Sequence, residues 1–311
     1  RAAATQSKSR SRNNSERSRY TLSLLSPFVY GVVTRHEAEV DWPAFDVGCY
    51  EVKDVAGNAS DPVASATNTL SAFADNAAAR EDPDIVPLSA DGERATPDRP
   101  YFDWSFICPS HEAYRAGLLE MVEDCAAAAP DLRLDDVGFP RAEYCHCKRC
   151  ADAFDASDRT DRADWRADAV TDFVAAVRDR VPGDLSLAVH PDPYPGHLRE
   201  RAGIDLERVL PLIDRLVVPL YDTAYGTTYW LESLAKGFAT RLGAADFDGR
   251  LAVELYAVDV DLDDLVRATE VASAYADDVF FGYDASTATA ALRRMRADSQ
   301  KGKTHRPNEG E

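Results

Sequence analysis

Hydrophobic and polar positions along the chain fall into two alternating periods. Short runs rich in β-branched and aromatic residues recur at 28–33, 45–52, 84–89, 132–139, 185–190, 215–221, 250–256 and 278–283. Between most of them, apolar residues are spaced three and four apart, at 62–79, 111–128, 163–180, 198–210, 229–242, 262–275 and 286–297. Side chains repeat every two residues in a strand and every 3.6 in a helix, so the first pattern predicts strands and the second helices. Strands that alternate with helices predict a parallel sheet. Eight strands and a closing helix predict a single-domain α/β fold, the closed (β/α)8 TIM barrel. An open dinucleotide-binding sheet lacks its usual mark, since no Gly-x-Gly-x-x-Gly follows the first strand.

The ends break this rhythm. Residues 1–20 are Ser- and Arg-rich without a hydrophobic period and read as a disordered extension, 21–298 as the barrel, and 299–311 as a flexible tail. The apolar run at 20–33 imitates a secretory signal core, but Pro27 interrupts it and no small-x-small site or twin-arginine pair accompanies it. A first barrel strand, and with it a cytoplasmic enzyme, is the favoured reading. No apolar run approaches the roughly 18–20 residues that span a bilayer, so no membrane partner is expected.

Composition sharpens the picture in two ways. The 311 residues exceed the roughly 250 of a typical barrel, and 45% are hydrophobic, enough for a large core. The chain carries 54 acidic against 35 basic residues, a net charge of −19, which repels phosphate backbones and disfavours a nucleic-acid partner. The abundance of Asp, Ala and Arg and the scarcity of Lys resemble the proteins of a salt-loving archaeon.

Three of the six cysteines stand in Cys145-His146-Cys147-Lys148-Arg149-Cys150, within a loop insertion around 140–155 that follows the fourth strand. Thiolates two and three residues apart converge readily on one cation, and zinc takes four such ligands in a tetrahedron about 2.3 Å away. Cys108, in the loop after the third strand, is the best fourth ligand, with His146 as a fallback. Disulfides compete with this reading but suit a cytosolic enzyme poorly. Cys49 and Cys125 read as buried packing residues.

Cys-Pro at Cys108–Pro109, a fourth strand ending in acidic residues, and Cys-x-Cys-x-x-Cys-x-x-x-Phe from Cys145 to Phe154 resemble the zinc-containing β-galactosidases of glycoside hydrolase family 42. The resemblance covers residues 100–165 and, beyond them, strand order alone. It implies a (β/α)8 barrel, a structural zinc held by Cys108, Cys145, Cys147 and Cys150, and retaining cleavage of a carbohydrate. It further implies an acid/base residue at the end of the fourth strand, which falls on Asp136, and a nucleophile at the end of the seventh, which falls on Glu254. The chain departs from the family in reading Asp135-Asp136 for its Asn-Glu and in being too short for its further domains.

Glycoside hydrolysis needs two carboxyl groups, one protonated and one ionised. Strand ends offer Asp135, Asp136, Asp222, Glu254 and Asp284. Alternation puts Asp135 and Asp136 on opposite sides, so one of them faces the barrel mouth. Glu254 is an acid within an apolar strand, costly to bury unless paired or employed. Asp136 with Glu254 is the preferred pair, and Asp136 with Asp222 the competing one. Trp104, Tyr221, Tyr225 and Tyr256 are candidate substrate contacts, because flat rings stack on the C–H faces of sugars, and Asp135 and His190 are candidate contacts to substrate hydroxyls. Two other functions are open: a carbohydrate-binding barrel without catalysis, and a metal-dependent hydrolase built on His190.

Overall fold

The computed structural model describes residues 28–304. Its eight strands are β1 Val29–Thr34, β2 Val47–Lys53, β3 Thr67–Ser71, β4 Leu132–Asp135, β5 Leu185–Ala188, β6 Arg215–Pro219, β7 Arg250–Tyr256 and β8 Asp278–Gly282. They pair in parallel in sequence order, and β1 closes the barrel on β8, with Gly31 opposite both Val47 and Phe280. The helices in chain order are α1 Glu37–Val40, α2 Asn76–Glu81, α3 Glu112–Ala128, α4 Lys148–Asp155 and α5 Arg162–Arg178. They continue with α6 His197–Ala202, α7 Leu206–Val209, α8 Tyr229–Ala244, α9 Leu262–Ser273 and α10 Ala285–Thr304. Among the described residues no helix is long and apolar enough to cross a membrane. The expected extension 1–20 and most of the expected tail lie outside the described residues; α10 runs past 298 to Thr304.

Period-two alternation sorts each strand into two faces. In β7, Leu251, Val253 and Leu255 join the large core between sheet and helices, while Ala252 joins a small inner cluster with Val33, Cys49, Ala188, Val217 and Phe280. Each fully buried Leu or Val adds roughly 1.5–3 kcal/mol, so the outer layer supplies most of the stability. Helices dock by the complementary stripe: α9 buries Leu265, Ala268, Thr269 and Ala272, and Asp261 caps it by accepting from the Asp263 and Asp264 N–H groups.

The third strand is displaced from its expected place. Thr67–Ser71 lies inside the segment 62–79, whose apolar spacing predicts a helix, and 84–89 holds only the end of the 3-10 turn Pro83–Ile85 followed by loop. Thr-Asn-Thr-Leu-Ser is too polar to signal a buried strand; Asn68 is tolerated because its amide exchanges hydrogen bonds with the Val63 backbone, at 2.9 and 3.1 Å. Pro87 cannot donate to a ladder, which disqualifies 84–89. The helix expected at 198–210 is also cut in two, by Gly203 at φ 75.

The N-terminal end of the barrel is locked by charge. Asp278, wholly buried at the start of β8, accepts from Arg215 Nε at 2.9 Å and from Arg250 Nε at 2.9 Å, joining three strands. Removing the acid strands a buried guanidinium, so Asp278→Ala should lower the stability measured by urea unfolding by about 3–5 kcal/mol. A loss below about 1 kcal/mol would mean that the lock contributes little.

Candidate active site

The C-terminal end of the barrel holds the other charge cluster. On β4, Leu132 and Leu134 face the helices, so Arg133 and Asp135 face the barrel axis. Arg133 is 1% exposed and binds Asp135 with both arms, Nε to Oδ1 at 2.7 Å and Nη2 to Oδ2 at 3.0 Å. Its Nη2 also lies 2.5 Å from Glu254 Oε2, projected inward from β7 across the barrel. Glu254 has no exposed surface, and its Oε1 accepts the Tyr221 hydroxyl. Both its oxygens are therefore engaged. Burial pushes the Glu254 carboxyl up, and Arg133 and the Tyr221 hydroxyl act against that by favouring the ionised form.

Asp136 was expected to lie opposite Asp135, with one of the two facing the mouth. Instead its backbone turns left-handed, at φ 54, which ends the alternation and keeps both carboxyls at the mouth. Ser71 Oγ donates to Asp136 Oδ2 at 2.7 Å. Burial, and then the charge of Asp135, push the Asp136 carboxyl up to about 6, against Ser71 and the nearby Lys53 and Arg133. Lys53 is itself anchored, with Nζ donating to the carbonyls of Ser71 and Ala74 at 2.8 and 3.0 Å and lying 3.3 Å from Asp75.

Four groups that the sequence reading passed over complete the site. They are Arg133, Lys53, Tyr283 and Glu51, the last pushed up to about 7 by burial despite Arg35 at 2.5 Å. Arg133 carried the same signal as Glu254, a charge within an apolar strand. Glu51 and Lys53 sit at the end of β2 on either side of a register shift against β3, which no sequence period records. Tyr283 packs its ring against Tyr221 and Tyr256, with centroids 6.5 and 6.4 Å apart, and Tyr221 and Tyr256 pack at 5.5 Å. The backbone comes close here: a Cβ on Gly282 would stand 3.1 Å from Glu254 Oε1, so a side chain would press on that carboxylate.

Other expected site residues lie elsewhere. Asp222 caps its own turn by accepting from the Ala224 N–H at 3.1 Å and makes none of the contacts that join Asp135, Arg133 and Glu254. Tyr225 is wholly buried; its hydroxyl donates to Leu220 O and accepts from the Tyr256 N–H, which makes it a brace between loops, not a sugar contact. Trp104 is half-buried and packs on Phe106. His190 is half-buried, and burial followed by the charge of Arg201 pushes its imidazole down to about 4.

The cysteines do converge. Cys108, Cys145, Cys147 and Cys150 are all buried, with every sulfur within 4.8 Å of the others, and Cys108 lies 3.8 Å from Cys147 and 3.3 Å from Cys150. Four sulfurs about 2.3 Å from one ion would stand about 3.8 Å apart. This group can hold a metal ion, and it is the only such group among the described residues. Around it, the buried Arg166 ties α5 to the loop after β4 by donating to the carbonyls of Arg141, Ala142 and Tyr144 at 2.9, 3.2 and 2.7 Å.

No family model and no curated protein matches the sequence. Solved structures do match, at identities that establish the fold. The glycoside hydrolase domain of PgaB (BpsB) from Bordetella bronchiseptica superposes with a TM-score of 0.64 at 13% identity, over 89% of this chain and 98% of that one. An α-L-fucosidase from Paenibacillus thiaminolyticus gives 0.63 at 12% identity, over 91% of this chain and 51% of that one. A family 42 β-galactosidase from G. stearothermophilus gives 0.54 at 12% identity, over 83% and 51%. The chain thus spans nearly all of the first domain and about half the length of the two larger enzymes.

The raised Asp136 carboxyl has a consequence for stability. A folded state that holds this proton more tightly than the unfolded chain loses stability as pH rises from about 4 through about 6. Asp136→Asn removes that cost, so the variant should be more stable than wild type at pH 7.5 by about 1–2 kcal/mol. Urea unfolding at pH 4 should show the difference gone; a variant that is less stable at pH 7.5 would contradict the assignment.

Proposed function

We propose that the protein is a glycoside hydrolase whose proton donor is Asp136 and whose nucleophile is Glu254. The observation that carries this reading is a pair of carboxyl groups at the C-terminal end of the barrel, both within the charge network of Arg133 and Asp135. Burial pushes both carboxyls up; at Asp136 the charge of Asp135 adds most to this, whereas at Glu254 the Arg133 guanidinium is the largest influence against it. Environments that separate two carboxyls in this way are what acid and nucleophile roles require at neutral pH. Asp136 would protonate the departing glycosidic oxygen as Glu254 attacks the anomeric carbon, and would then take a proton from the water that releases the sugar. Glu254 is closed off in the free protein, so attack requires the site to open at Tyr221, a residue on the surface whose hydroxyl occupies Oε1.

Asp222 stands outside this scheme: its Oδ1 accepts from the Ala224 N–H, and no hydrogen bond or ion pair ties it to Arg133 or Asp135. His190 has no companion ligands among the described residues, which removes support from the metal-dependent alternative. The likeness to three carbohydrate-active barrels supports the substrate class. The four-cysteine group fits a structural zinc: four thiolates would leave no open position for water, so the ion would brace the loop after β4 without entering the reaction.

Turnover of a panel of 4-nitrophenyl glycosides tests the reading. Activity on the best sugar should fall off above about pH 6 as Asp136 loses its proton, and Asp136→Asn should lower kcat by about 100-fold or more. Equal turnover by the variant would remove Asp136 from the mechanism. Elemental analysis of the purified protein should find about one zinc per chain, and Cys147→Ser should lose the metal and lower the thermal midpoint. Metal-free wild type of unchanged stability would contradict the structural role.

A further inference from the structure

A second set of groups on the same end of the barrel takes no part in the proposed chemistry. The exposed large apolar side chains include Tyr101, Tyr194 and Tyr229, at 83, 67 and 80%. They follow β3, β5 and β6 respectively, which puts all three on the C-terminal face. Apolar surface left in water adds nothing to folding, so rings gathered on one face call for another explanation.

Two of these rings rest against polar neighbours. The Arg141 guanidinium lies 5.1 Å from the centroid of the Tyr101 ring, and the Tyr101 backbone is left-handed at φ 74, a strained state for a bulky residue. The Tyr194 ring centroid lies 5.4 Å from that of His197, whose Nδ1 is 3.0 Å from Asp192 Oδ2. Arg141, Asp192 and His197 are in turn walls of one open cleft of about 270 Å³, completed by Glu143, Glu200 and Arg201. Tyr101, the cleft and Tyr194 thus form a continuous arc that crosses the loops after β3, β4 and β5.

We infer that this arc binds the chain of a neutral polysaccharide, holding sugar units beyond the one that is cleaved. The inference rests on the carbohydrate reading of the site and adds that the substrate is a polymer. A tyrosine face covers the C–H face of a pyranose, and the carboxylates, guanidiniums and imidazole of the cleft offer acceptors and donors to its hydroxyls. Within the cleft Arg141 pairs with Glu143 and His197 with Asp192, so its charges are largely spent on one another, while the net charge of −19 on the chain repels an anionic polymer.

Native gels containing hydroxyethylcellulose, galactomannan, xylan or soluble starch read this binding without requiring catalysis. At least one of them should retard the wild-type protein. The double variant Tyr101→Ala/Tyr194→Ala should bind that glycan about tenfold more weakly, while Tyr101→Phe/Tyr194→Phe retains binding. Turnover of a 4-nitrophenyl glycoside and the thermal midpoint should stay at the wild-type level in both variants, since both side chains lie outside the catalytic cluster. Retardation in none of the gels, or equal retardation of wild type and the alanine variant, would overturn the inference. Retardation that the alanine variant loses, with no glycoside cleaved by any form, would uphold the arc and remove the hydrolase reading instead.

Discussion

A single guanidinium organises the C-terminal end of this barrel. Arg133 is buried on the barrel axis, where an unpaired cation would cost several kcal/mol of lost hydration. Asp135 meets it from the same strand and Glu254 from across the barrel. The pairing works only if β4 and β7 face each other through a closed sheet, so the charge arrangement and the fold require one another. It also sets the electrostatics of the mouth, since Asp135, held in place by Arg133, is the neighbour whose charge helps to keep the Asp136 proton on.

The two ends of the barrel use buried charge differently. At the N-terminal end, Asp278 is matched by two arginines in a closed lock. At the C-terminal end, six carboxyls, from Glu51, Asp54, Asp75, Asp135, Asp136 and Glu254, surround three cations, from Arg35, Lys53 and Arg133, and Asp136 and Glu51 are pushed up to about 6 and about 7. An excess of acid over base raises the proton affinity of carboxyls, a pattern that clusters at functional sites. The loop after β4, which follows Asp136, is held by the carbonyl clamp of Arg166 and by the cysteine group, so the acid stands on a rigid support.

Much of this was legible in the sequence, and the exceptions have physical reasons. Seven strands and the barrel follow from periodicity, because their apolar alternation is strong. The third strand escaped because Thr67–Ser71 is polar and is rescued by side-chain bonds to its own backbone, which no hydrophobic period records. The cysteine group was readable from spacing, and Cys108 proved the partner because the loops after β3 and β4 are neighbours. Glu254 announced itself as a charge in an apolar strand, and Arg133 gave the same sign. Glu51, Lys53 and Tyr283 were not legible, since their meeting depends on the strand register and on close approach at Gly282. Asp222 and Tyr225 looked like site residues by position, but local hydrogen bonds commit them to turns and braces.

The roles of Glu254 and Asp136 are open to a direct chemical test. A 2-deoxy-2-fluoroglycosyl fluoride of the sugar that the protein turns over slows release of a covalent intermediate, so that peptide mapping by mass spectrometry can locate the bound sugar. The account predicts one sugar per chain, attached to Glu254, and label accumulation slowed in Asp136→Asn when the leaving group needs a proton. A label on any other residue, or hydrolysis of the same sugar with no covalent species formed, would contradict it.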